Sequence, residues 1–206
     1  MAFHLHPEGV LSPDPPLESG ADSYVYDPAD PVPTWGGATF LSPEFPPGPR
    51  DQREIEARPD VLAYTTPPLQ ADLEVTGPVE VRLWASSSAP DTDFVARLCD
   101  VLPGGRSVQL TDGIIRARYR DAAAGAPPSA IEPGRAYEYR IDLWATSNVF
   151  RAGHRIRLDV TSSSFPRWDR NPNTGADPFT DVRLEVARQR IHHDPAHPSR
   201  VILPVV

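Results

Sequence analysis

The sequence of 206 residues has no lysine, one cysteine and one methionine. Its 20 basic residues are therefore all arginines, and 28 aspartates and glutamates bring the net charge to −8. Nucleic-acid binding requires a positive field, so this balance argues against such a partner. Cys99 has no second cysteine to pair with, which excludes an intrachain disulfide, and its strand-like surroundings predict a buried structural thiol.

Long apolar runs are also missing. No stretch approaches the length that crosses a bilayer, and the first residues, MAFHLHPEGVLS, lack the basic segment and apolar core of a signal peptide. We therefore expect a cytoplasmic protein with no membrane partner. No cofactor is predicted either.

Proline is abundant instead. The 26 prolines and 13 glycines separate short segments rich in Val, Ile, Thr and Tyr, which favours many strands with sharp turns over helices. Apolar and polar residues alternate in VLAYTT from Val61, LEVTGPVEVRLWASSS from Leu73, DFVARLCDVLP from Asp93, RSVQLTDG from Arg106, IIRARYRD from Ile114, GRAYEYRIDLWATSN from Gly134, HRIRLDVTSSSF from His154 and SRVILPVV from Ser199. This pattern predicts an all-β jelly-roll β-sandwich of two antiparallel sheets, with eight to ten strands and at most one or two short helices.

Other segments lack a clear pattern. Residues 1–20 are predicted to be a lead-in that holds two short edge strands, FHL and GVLS, and residues 21–206 to be the domain itself. The stretch YVYDPADPVPTWGG from Tyr24 and the region 41–59 are predicted to be irregular loops, because proline cannot donate to a sheet ladder. TDVRLEVARQRIHH from Thr180 is ambiguous and is compatible with one short helix.

Residues 145–175 contain a serine run, one histidine and two aspartates, which raises the question of a catalytic triad. On one extended strand His154 and Ser162 would lie about 26 Å apart at roughly 3.3 Å per residue, so they cannot touch. The sequence also has no G-x-S-x-G nucleophile elbow. We therefore predict no catalytic residue here.

The serines are interpreted as a strand end that bonds nearby backbone groups. The residues predicted to form a polar loop after it are Arg167, Asp169, Arg170, Asn171 and Asn173.

Two other groups suggest metal ligands without the full pattern of a metal site. His192, His193 and His197 lie within HHDPAHP, where two prolines make a tetrahedral site awkward, and a hydrogen-bonded turn is favoured. Asp91 and Asp93 lack the glycine and glutamate of a calcium loop and are predicted to end a turn. No metal is predicted.

Of the four tryptophans, Trp84 and Trp144 lie in strand patterns and are expected in the core.

Four strings, YVYDPADPVPTWGG, VEVRLWASSSAPDTDF, ATSNVFRAGHRIRLDVTSSSFPRWDRNPNTG and HHDPAHPSRVILPV, together resemble one known family. They are similar to the C-terminal domain of the CocE/NonD serine hydrolases, which include cocaine esterases, X-prolyl dipeptidyl-peptidases and α-amino acid ester hydrolases. The resemblance runs from about residue 20 to residue 206. It implies a galactose-binding-like jelly roll, in agreement with the strand pattern.

The resemblance also implies a role. In the family the triad lies in an α/β-hydrolase domain, and a helical cap completes the pocket, so this chain alone is expected to be inactive. The implied partners are those two domains, a small ester or amide substrate and a second copy of the chain. The loop after DPADPVPTWGG approaches the active site in similar proteins, and here Trp35, Phe40 and Leu41 are expected to form an apolar substrate wall.

Two alternative functions remain open at the level of sequence. The chain could be a self-standing β-sandwich that binds carbohydrate or another ligand, for which Trp35 and Trp168 lie in suitable loops. It could instead be a structural module that associates through strand edges.

Overall fold

The computed structural model describes residues 1–177 and 180–206. Its strands are β1 (Ala2–His6), β2 (Val10–Ser12), β3 (Ala21–Tyr26), β4 (Leu62–Thr65), β5 (Leu73–Ser87), β6 (Asp93–Val101), β7 (Ser107–Arg116), β8 (Tyr137–Phe150), β9 (Arg155–Thr161), β10 (Ala187–Asp194), β11 (His197–Pro198) and β12 (Arg200–Ile202). Helical structure is confined to α1 (Arg53–Glu56) and the 3-10 turns Pro7–Gly9, Ala117–Tyr119 and Ala122–Ala124 in the described ranges. No helix in these ranges is long and apolar enough to cross a membrane.

The strands form one hydrogen-bonded path in the order β11-β10-β5-β12-β1-β2-β4-β9-β6-β7, with β3 on β10 and β8 on β5. The path folds over itself, because Phe94 of β6 packs on Tyr139 of β8 with 4.8 Å between ring centroids. The two layers enclose one large apolar core. This arrangement confirms the predicted all-β class with few short helices, and it agrees with a β-sandwich.

Buried and exposed side chains alternate along β5 and β8, so the core lies on the face of these strands that the sequence predicts. Side chains two residues apart on these strands face inward and are at most 1% exposed: Val79, Val81, Leu83, Tyr139, Ile141 and Leu143. The intervening residues face outward, as a period of two requires.

The prediction of core packing for Trp144 and Trp84 is wrong. The β5–β8 register shifts between Pro78 and Glu80, so two residues of β8 lie opposite one of β5. Trp144 is one of the two; its φ is 63° and its side chain is 69% exposed. Trp84 follows an inward-facing residue and points outward, where its ring meets that of His197 edge-on at 4.9 Å.

Two N-terminal predictions also need correction. Strand β1 is not an edge strand, because it pairs with both β12 and β2 and buries Leu5 completely. Residues Tyr24–Tyr26, expected in a loop, end strand β3 and pair with β10. The division of the chain at residue 20 stays a prediction.

The stretch 180–193, which was ambiguous in the sequence, contains no helix in the described residues. Residues 180–186 have neither helix nor strand, and β10 begins at Ala187. Inside β10 buried Ala187, Gln189 and Ile191 alternate with exposed Arg188 and Arg190, which is the period of a strand.

Candidate functional site

The predicted substrate-facing residues lie on one long loop that contacts β7 and Arg167. Gly37 and Gly48 exchange two backbone hydrogen bonds of 2.9 Å, which close residues 38–47 into a projecting loop. Phe40 is 94% exposed, Leu41 45% and Trp35 41%. Phe40 thus presents nearly its whole ring to solvent on a closed loop.

Two glycines allow the chain to enter this loop. Gly36 and Gly37 have φ values of 83° and 79°, a backbone conformation that residues other than glycine rarely adopt. A Cβ on Gly37 would lie 2.8 Å from Nε2 of Gln109 and 2.9 Å from a guanidinium nitrogen of Arg167. The loop therefore sits directly on polar side chains of the sandwich.

The serine run that follows β9 anchors the start of this loop. The backbone N–H of Val32 donates to Oγ of Ser163 at 2.9 Å, and the hydroxyls of Thr34 and Ser164 lie 3.1 Å apart. The N–H of Thr34 also donates to the carbonyl of Phe165 at 2.7 Å. The predicted role of this run as a strand end that bonds backbone is confirmed at Ser163, and its partners hold Trp35 in place.

None of these serines contacts a histidine in the described part of the chain. Ser162 pairs with the hydroxyl of Tyr24, while His154 pairs with Asp100 at 2.9 Å. One serine–histidine bond is present elsewhere, between Ser86 and Nε2 of His192 at 3.0 Å, but no carboxylate bonds that histidine among residues 1–177 and 180–206. The described residues do not join a serine, a histidine and a carboxylate into one hydrogen-bonded chain.

A cleft of 210 Å³ opens beside Trp35. Its walls are Pro33, Thr34, Trp35, Glu44, Phe45, Glu54 and Ile55. The cleft therefore brings one of the three predicted residues together with side chains that the sequence did not single out. Phe45 lies in a proline-rich segment, and Glu54 and Ile55 belong to the single turn of α1, too short for a periodic signal.

Polar side chains lie under the loop and are held by hydrogen bonds. Gln52 donates to the carbonyl of Trp35 at 2.6 Å, and Arg167 donates to Asp112 at 2.6 Å. Burial raises the pKa of the Asp112 carboxyl, and the guanidinium of Arg167 opposes that shift. Gln52 thereby holds the backbone of Trp35 against the sandwich.

A second buried group lies nearby, formed by Glu56, Cys99 and Asp159, with one possible ligand atom from each within 4.8 Å of the others. Arg157 pairs with Glu56, and the positive charge of Arg97 also acts on Asp159. Two guanidinium groups therefore lower the electrostatic cost of the two carboxylates, but burial still raises the pKa of Asp159. Burial raises the pKa of the Cys99 thiol well above its usual value, as expected for the predicted structural thiol.

The polar loop after the serine run binds the Asp91 and Asp93 pair. Arg116 pairs with Asp93 at 2.8 Å and Arg118 with Asp91 at 2.7 Å, while the Asn171 amide donates to both carboxylates. The other predicted members bond as well: Arg167 to Asp112, Asp169 to Arg116, Arg170 to the carbonyl of Pro28, and Asn173 to the carbonyl of Glu185. The prediction of a loop held by ion pairs and backbone bonds is confirmed.

Comparison with known proteins gives consistent matches over almost the whole chain. The sequence model of the X-Pro dipeptidyl-peptidase C-terminal non-catalytic domain matches residues 2–202. The cocaine esterase of Rhodococcus sp. (strain MB1 Bresler) is 50% identical over 200 residues, which are 96% of this chain and 34% of that protein.

Two solved structures share both fold and sequence with the chain. An α-amino acid ester hydrolase superimposes with a TM-score of 0.89 at 32% identity, over 100% of this chain and 36% of that one. An aminopeptidase from the marine sediment archaeon Thaumarchaeota archaeon gives the same TM-score, identity and coverage. The chain therefore spans about a third of the length of these relatives.

Proposed function

Because the chain belongs to the family of X-Pro dipeptidyl-peptidase C-terminal non-catalytic domains, we propose that it serves a serine hydrolase as the accessory sandwich that closes the substrate pocket. The nucleophile, base and oxyanion donors belong to an α/β-hydrolase domain, completed by a cap. The substrate class is a small ester or amide, since the similar proteins are named an esterase, an ester hydrolase and an aminopeptidase.

The observation that carries this proposal is the exposure of Phe40 on an anchored loop. Binding of a partner over a phenyl ring that is 94% exposed lowers the free energy, because apolar surface is removed from water. The loop is closed at Gly37 and Gly48 and tied to the serine run, so little conformational entropy is lost when it docks. Trp35, Phe40 and Leu41 then form an apolar wall opposite the reacting acyl group.

In this role the chain contributes binding and water exclusion, and performs no proton transfer. An apolar wall removes water from around the acyl group and so strengthens the electrostatic stabilisation of the oxyanion that the hydrolase domain supplies. Glu44 and Glu54 place two carboxylates at the edge of the same cleft.

Reconstitution tests the proposal. The part of the Rhodococcus cocaine esterase that this chain does not match is expressed separately and mixed with this chain. Binding is followed by sedimentation, and activity by hydrolysis of a chromogenic ester. We expect association and a rise in kcat/KM with the unaltered chain, and a loss of both with Phe40→Ser.

The matched control is Val206→Ser, which alters another apolar residue, 82% exposed and outside the loop. It should behave like the unaltered chain. Failure of the two parts to associate would contradict the accessory role. If Phe40→Ser associated and gave the same activity as the unaltered chain, only the assignment of Phe40 to the substrate wall would be contradicted.

A further inference from the structure

The hairpin of β10 and β11 brings two histidines and an aspartate together on one face, away from the loop of Trp35. Asp194 and His197 are directly paired across the hairpin, and His192 lies two residues before Asp194 on the same side of β10. One ring nitrogen or carboxylate oxygen from each of the three lies within 4.8 Å of the others. All three are half-buried, so an ion from solvent can reach them.

We propose that His192, Asp194 and His197 form a binding site for a late first-row divalent cation, with zinc as the best fit. Two imidazoles and one carboxylate are a common three-residue ligand set for zinc, and they leave one tetrahedral position for water or a fourth ligand. This site is independent of the proposed pocket role. It also goes beyond the turn that the sequence predicts, since the hydrogen bonds of that turn are present as well.

The distances suit an ion with little rearrangement. Nδ1 of His197 lies 3.1 Å from Oδ2 of Asp194, and two ligands of a tetrahedral zinc ion are about 3.3 Å apart. The ring centroids of His192 and His197 are 5.5 Å apart, so small side-chain rotations bring their nitrogens to the same ion.

The backbone of the hairpin holds the aspartate in place. Oδ1 of Asp194 accepts hydrogen bonds from the N–H groups of Ala196 at 2.8 Å and His197 at 2.9 Å. Oδ2 has no backbone donor in the described residues and meets only the ring of His197 there. One carboxylate oxygen thus closes the turn, while the other bonds only Nδ1 of His197, whose proton is released when a cation binds both atoms.

Neighbouring groups orient the two rings. The Oγ of Ser86 lies 3.0 Å from Nε2 of His192, and the indole of Trp84 packs edge-on against His197. Such supporting contacts hold metal-binding histidines in the required orientation. His193, by contrast, faces the other side of β10, where it is 1% exposed and bonds Asp22, so it is not a ligand.

Calorimetric titration with zinc chloride tests the proposal on the 206-residue chain after chelator treatment. We expect one zinc ion per chain and a rise in Tm on binding. His192→Asn and Asp194→Asn should each weaken binding by at least about tenfold. Asp194→Asn retains an oxygen that can close the turn, and circular dichroism without metal shows whether each variant is folded.

His6→Asn is the matched control, since His6 is a half-buried histidine outside the cluster that bonds a backbone carbonyl. It should leave the affinity unchanged. A four-coordinate d–d spectrum with cobalt, lost in His192→Asn, would add support. The proposal is overturned if zinc binding is unsaturable, if the two cluster variants bind zinc as tightly as the unaltered chain, or if His6→Asn weakens binding equally.

Discussion

At the scale of single residues, the most informative group is the buried carboxyl of Asp159. It is fully buried, and one of its oxygens has no hydrogen-bond partner in the described residues. Burial raises its pKa, the carboxylate of Glu56 raises it further, and Arg97 and Arg157 oppose the shift. A charge at this position is therefore costly to the fold even with two arginines nearby.

This cost predicts a pH dependence of stability. The folded chain keeps the Asp159 proton to a higher pH than the unfolded chain. The contribution of this proton to the free energy of unfolding is therefore complete below the ordinary aspartate pKa of about 4, and it is lost as pH rises through the raised pKa. Asp159→Asn stays uncharged at every pH. We expect it to reduce the fall in unfolding free energy between about pH 4 and about pH 8, by more than about 1.4 kcal/mol.

Urea denaturation at the two pH values measures this effect. Asp14→Asn is the control, because Asp14 is exposed, and it should leave the pH dependence as it is in the unaltered chain. An equal pH dependence in the Asp159→Asn variant would show that the charged carboxylate is well compensated by Arg97 and Arg157.

At the scale of elements, the loop from Gly36 to Gly48 depends on its backbone geometry. Gly37→Ala adds a Cβ at a positive φ and within 3 Å of Gln109 and Arg167, so it strains the loop and disturbs the Arg167–Asp112 pair. We expect a loss of about 1–3 kcal/mol in the free energy of unfolding. Gly104→Ala has open space around the new Cβ and should change the free energy by less than about 0.5 kcal/mol.

Guanidinium denaturation followed by tryptophan fluorescence compares the two variants. If Gly37→Ala were as stable as Gly104→Ala, the loop would be free to move off Gln109 and Arg167. The rigid placement of Trp35, on which the wall assignment depends, would then be wrong.

The sequence predicted the elements whose side chains alternate between core and solvent. Strands β4, β5, β6, β8 and β9 lie where the pattern placed them. In β5 and β8 one face is buried and the sequence has a period of two, whereas β6 is buried on both faces and was found from its alternation of apolar and polar residues alone. Trp144 escaped prediction because a bulge depends on the partner strand, which local sequence does not specify. The start of β10 and the last residues of β3 escaped because they stabilise each other across more than half the chain.

The candidate site was predictable only in part. The exposed positions of Phe40 and Leu41 followed from the resemblance to the family, whereas Phe45 and Ile55 reach the cleft through a fold of the loop that has no periodic signal. The cluster at β10 and β11 was visible as histidines, but its third member, Asp194, becomes apparent when the hairpin pairing is known.

At the scale of the whole molecule, the two layers depend on contacts between them. Phe94 is fully buried and packs on Tyr139 across the core. Phe94→Ala should lower the free energy of unfolding by about 3–5 kcal/mol, because it leaves a cavity between the layers. Phe40→Ala removes the same ring from a position that is 94% exposed, and it should change the free energy by less than about 0.5 kcal/mol.

Differential scanning calorimetry on the two variants gives the comparison. Equal stability would mean that the layers do not need this ring contact, whereas a large loss in Phe40→Ala would mean that the loop is part of the cooperative core.

The pairing of β1 with β12 has a mechanical consequence. Ala2 pairs with Ile202, and the amino group of Met1 donates to the carbonyl of Leu203 at 2.6 Å, so the two ends of the chain leave the sheet at the same corner. A force that pulls residues 1 and 206 apart is expected to break the bonds of Pro204 and Val206 to β5 and then to open the β1–β12 pair one hydrogen bond at a time, instead of shearing all its bonds together. The sandwich is therefore expected to yield first at the corner where its two ends lie.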